Sequence, residues 1–133
     1  MRALRWILVP ALAPIGYLVT FLSSLLLDQL LLRLCPAELV VSGTCTASWY
    51  PIAEMSIFAI GAAIGAAVWV VLPTLVAPAH RTTVAWIAFA SGAGLALWFI
   101  AHVGSEFAVP FASALIAGTI VALIATSRDK RAT

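Results

Sequence analysis

The sequence predicts an all-α integral membrane protein, a four-transmembrane-helix bundle with both termini on one side. Three observations predict it. Of the 133 residues, 64% are hydrophobic and only 9% are charged, whereas a soluble domain carries about a quarter charged residues. The apolar residues fall in four runs, at 6–32, 52–76, 84–103 and 109–126, each near the ~20 residues a helix needs to cross the hydrocarbon core. The segments between the runs are one loop at 33–51 and two tight connections, so 1–133 reads as a single transmembrane domain.

In the first run, Ala11-Leu12-Ala13 imitates a signal-peptidase site, but the apolar stretch before it is too short for a signal peptide, which predicts an uncleaved helix. The stretch SSLLLDQLLLRLCP then sets Asp28 among leucines. At 1.5 Å per residue a helix entering near Leu8 has covered ~30 Å by residue 28, so the acid sits at the membrane edge, within reach of headgroup water. Its direction is more informative than its depth. Tyr17, Thr20, Ser24 and Asp28 fall along one side of the helix, with Pro10 and Ala13, while Leu8, Ile15, Leu22 and Leu26 fall opposite. A polar stripe of this kind is predicted to face protein, its hydroxyls bonding across helices, and the leucine stripe to face lipid.

The loop at 33–51 holds both cysteines, Cys35 and Cys45. On a non-cytoplasmic face thiols oxidise, so a disulfide is expected, contributing ~2 to 3 kcal/mol by closing a short loop. The spacing C-x9-C does not suit a closely spaced, exchange-prone redox pair. A four-helix carrier of electrons from a disulfide to quinone would need a second cysteine pair, and a b-type haem would need paired histidines at one depth. His80 and His102 fall at opposite ends, and no cofactor is expected.

Pro51 suits the first residue of the second helix, Glu54 its first turn, where the helix dipole favours an acid, and Pro73 with Pro78 its end. Gly61 and Gly65 make a GxxxG step that allows close backbone approach, predicted as a packing seam within the bundle. In the third helix Val84, Ser91, Trp98 and His102 align, and Gly104-Ser105 turns the chain towards Glu106 and the fourth helix. Trp6 and Trp86 are expected at one membrane interface and Trp49, Tyr50 and Trp98 at the other.

Six of the seven basic residues, Arg2, Arg5, Arg81, Arg128, Lys130 and Arg131, share the side of the termini, against Arg33 on the other. This bias predicts cytoplasmic termini, with a bacterial inner membrane as the expected location. Basic residues split among three short segments form no nucleic-acid footprint.

Each helix also brings one ionisable group to the outer level: Asp28, Glu54, His102 and Glu106. Converging, they would form a candidate ion- or proton-binding cluster, since carboxylates with histidine bind divalent metals and titrate near neutrality. No HExxH, phosphate loop or supported nucleophile is present. The expected role is therefore a non-enzymatic accessory or interaction subunit, with the lipid bilayer and a larger membrane protein or a second copy as partners. The alternative is a small transporter or ion-binding protein using the outer acids; a membrane enzyme comes third.

Overall fold

The computed structural model describes residues 2–132, with the backbone alone for 2–6, 8, 13 and 130–132. The side chains of Arg2, Arg5, Trp6, Leu8, Ala13, Lys130 and Arg131 thus lie outside the described residues. Four helices are long and apolar enough to cross a membrane. They are α1 (Arg2–Arg33), α2 (Tyr50–Val76), α3 (Arg81–Val103) and α4 (Ala108–Ala132). Their ends are named here the disulfide end, which carries the loop between α1 and α2, and the terminal end, which carries the start of α1 and the end of α4.

All four helices exceed the apolar runs, because polar flanks continue the same backbone pattern. α1 includes Pro10 and Pro14, and α2 includes the buried Pro73. Pro73 therefore does not close α2, contrary to expectation. Membrane helices tolerate proline because neighbouring groups and local adjustment re-satisfy the backbone, and α2 ends three residues later with the Ala77 N–H on the Pro73 carbonyl at 3.0 Å. At its other end α2 begins with Tyr50, so Pro51 is its second residue and Glu54 lies beyond the first turn. The helix dipole falls off within that turn, which removes the electrostatic reason expected for Glu54.

The connection at 34–49 is more ordered than a plain loop. A 3-10 turn, Ala37–Leu39, leads into a two-residue antiparallel hairpin, β1 (Val40–Val41) with β2 (Thr44–Cys45), in the register Val40 to Cys45 and Val41 to Thr44. Ser42 and Gly43 both have positive φ, 52° and 83°, the conformation a two-residue primed turn requires. Cys35 and Cys45 are joined as a disulfide, with their Cα atoms 6.0 Å apart. The hairpin folds back so that Cys45, Ala47, Tyr50 and Leu31 form a small buried cluster, with Ile57 and Ala53 against it. This cluster caps the disulfide end of α1 and α2.

α2 is the central helix, packing against α1, α4 and α3, while α3 and α4 also pack together. The α1–α2 seam has a four-residue step on both sides: Gly16 opposes Trp69, Thr20 opposes Gly65 and Ser24 opposes Gly61. Rows at i and i+4 interdigitating in this way are the commonest helix-packing mode. Ile15, Leu22 and Leu26 are exposed on the other side of α1. At the terminal end, the Thr82 hydroxyl donates to Asp129 Oδ2 at 2.8 Å and ties the start of α3 to the end of α4.

Candidate functional site

Asp28 has a specific partner. The Tyr50 hydroxyl donates to Asp28 Oδ1 at 3.0 Å across the α1–α2 seam, and Tyr50 is only 7% exposed. The ring therefore belongs to the cluster under the hairpin, whereas its neighbour Trp49 stays exposed at 40% as an interfacial ring would. Adjacent residues on a helix point about 100° apart, so one of the two aromatics turns inward and carries a hydroxyl to the carboxylate.

Glu54 lies one turn along α2 from Tyr50 and is half-buried. His102 is exposed; its Nδ1 is 2.8 Å from the Trp98 carbonyl of its own helix, and its ring lies over Trp98 with centroids 4.5 Å apart. A carbonyl can only accept, so Nδ1 is the donor in this contact. Glu106 is exposed in a 3-10 turn, Ser105–Phe107, between α3 and α4. Among the described residues no three of His, Cys, Asp and Glu gather as ligands for one ion. The geometry that stands out among these groups is the Asp28–Tyr50 pair.

Nor do the hydroxyls along α1 form an open polar track. Thr20 donates to the Gly16 carbonyl at 3.0 Å and Ser23 to the Thr20 carbonyl at 3.0 Å, both within the helix. Ser24 is buried against Gly61. Tyr17 departs from its stripe mates and is 52% exposed.

Tyr17 lines a crevice of about 630 Å³, floored by α2 and walled by α1 on one side and α3 with α4 on the other. It exists because α1 packs mainly on α2 and makes only marginal contact with α3 and α4. Its surface is almost wholly apolar. Phe58, Phe89, Phe99 and Phe111 supply aromatic walls, and Ala62, Ala66, Ala93, Ala96 and Ala114 supply small ones. Trp69, absent from the sequence-predicted site residues, forms part of its floor, with its indole N–H donating to the Ala88 carbonyl at 2.9 Å. A tryptophan well inside an apolar run, away from either interface, was the available signal. No family model, curated protein or solved structure matches the chain.

The Asp28–Tyr50 pair leads to an expected result. Asp28→Leu leaves a buried hydroxyl without its acceptor, a loss of ~1 to 3 kcal/mol, whereas Asp28→Asn keeps an acceptor oxygen and costs less. Adding Tyr50→Phe to Asp28→Leu removes the orphaned group and recovers part of the loss. Unfolding in mixed detergent micelles measures each variant; strictly additive losses would show that the two side chains do not interact.

Proposed function

We propose that this chain is a non-enzymatic interaction subunit of a larger membrane assembly, with cytoplasmic termini, and that it seats a transmembrane segment of its partner in the crevice between α1 and α3/α4. The observation that carries the reading is the crevice itself: a sizeable apolar space, bordered by all four helices, that the bundle does not fill. Within lipid, helices associate through close packing rather than through the hydrophobic effect, and small residues permit the approach. Alanines from α2, α3 and α4 face this space; a helix backbone needs such clearance, whereas a flexible hydrocarbon tail does not. The internal hydrogen bonds of Thr20 and Ser23 leave little to recognise a polar substrate. The cytoplasmic termini are supported by the basic residues, six of seven on that side.

Affinity purification from native membranes in mild detergent, through a tag on the C-terminus, tests the proposal. A larger membrane protein is expected at fixed stoichiometry. Ala93→Phe together with Ala96→Phe should fill the crevice and abolish that recovery at unchanged expression, while Leu26→Phe on the lipid side should leave it intact. Recovery of the wild-type chain alone, as a monomer or small homo-oligomer, would overturn the reading.

A further inference from the structure

A second groove lies towards the terminal end, and its chemistry differs from that of the crevice. It has a volume of about 220 Å³ and runs between α2 and α4 to the start of α3. Val71, Leu75, Val121 and Ile124 line its apolar length, and Arg81 and Arg128 stand at its mouth. Arg81 is the first residue of α3 and Arg128 is near the end of α4, so two different helices bring guanidinium groups to one opening. The Arg81 Nε donates to the Ala77 carbonyl at 3.4 Å, a contact that orients its side chain. One carboxylate, Asp129, also lines the groove; its Oδ2 accepts the Thr82 hydroxyl. Two arginines against that one acid leave the mouth with a net positive charge.

The position of these groups identifies the occupant. The apolar wall belongs to helices long and apolar enough to cross a membrane, and Arg81 and Arg128 sit at the ends of those candidate spans, where headgroups would lie. Arginine forks match phosphate oxygens, and basic pockets between membrane helices bind anionic headgroups. We propose that this groove is a binding site for one anionic phospholipid, its phosphate between Arg81 and Arg128 and an acyl chain along Leu75 and Ile124. The site depends on neither the crevice nor its partner, because none of its lining residues is shared with the crevice.

The test uses the full chain in detergent, titrated with short-chain phosphatidylglycerol and followed by native mass spectrometry. One retained lipid is expected, with phosphatidylcholine bound much more weakly. Arg81→Gln with Arg128→Gln should weaken phosphatidylglycerol by about thirtyfold, near 1 kcal/mol for each basic residue. Arg81→Lys with Arg128→Lys keeps the charge without the forks and should fall between. Arg33→Gln, at the other end, should change nothing. Leu75→Ser should weaken the lipid but not inorganic phosphate, run as a separate arm. Equal retention of phosphatidylcholine, an unchanged affinity in the Gln variant, or phosphate competing as well as the lipid would each overturn the proposal, the last by making this a free-anion site.

Discussion

Gly65→Ala is expected to be the most damaging small substitution in the chain. A methyl group at this position would overlap the Thr20 hydroxyl and would also lie 2.7 Å from Thr20 Cβ and 2.9 Å from the Gly16 carbonyl oxygen. Two of these three obstacles are fixed to the backbone of α1, so no rotamer change relieves them and the helices must separate. Overpacking of this kind costs about 3 kcal/mol or more when backbone is involved. Gly16→Ala belongs in the same class, since its methyl would meet the backbone N and Cα of Trp69 at 2.8 Å. Gly61→Ala differs instructively: its close neighbour is the Ser24 hydroxyl, and the next atoms are at 3.5 and 3.6 Å. Adding Ser24→Ala should therefore restore Gly61→Ala almost fully, whereas adding Thr20→Ala to Gly65→Ala should restore only a little. Gly94→Ala, with nothing within 4 Å, serves as the neutral reference. Unfolding in mixed micelles ranks the series; equal losses for Gly61→Ala and Gly94→Ala, or full rescue of Gly65→Ala by Thr20→Ala, would contradict the seam.

Both halves of that seam were legible separately. The i, i+4 recurrence of Thr20, Ser24 and Asp28 marks one side of α1, and the GxxxG step of Gly61 and Gly65 marks a face of α2 with the same period. Their register was not legible, because periodicity fixes direction around a helix but not offset along it. The offset comes from the length of the hairpin loop and from the Asp28–Tyr50 bond at the top of the seam. The same limit explains the acidic groups. Residue counting places Asp28, Glu54, His102 and Glu106 at one level, yet equal depth says nothing about which side of the bundle each one faces. The crevice was invisible for a different reason: it follows from how little α1 packs on α3 and α4, a property of the whole assembly that no local pattern encodes.

Trp69→Ala should have an effect of similar size through the opposite change, loss of volume instead of excess. Trp69 joins three helices at one level. Its backbone abuts Gly16 of α1, its ring lies where a side chain at Gly92 of α3 would reach it at 3.2 Å, and its N–H donates to Ala88. Removing the ring takes away these packing contacts and deepens the crevice floor. Large aromatic-to-alanine changes in packed sites cost 3 to 5 kcal/mol, and about 3 kcal/mol is expected here because the residue is half-buried and lipid can occupy part of the space. Trp69→Phe separates volume from hydrogen bonding. It keeps most of the ring and forfeits one donor, a net ~1 kcal/mol; the Ala88 carbonyl loses little, since the Ser91 hydroxyl also bonds to it at 2.8 Å. Partner recovery supplies a second readout, because the proposed docking needs the crevice shape: Trp69→Ala should weaken it and Trp69→Phe should preserve it. A Trp69→Phe variant as unstable as Trp69→Ala would mean that the indole hydrogen bond, and not the ring's volume, holds α2 to α3.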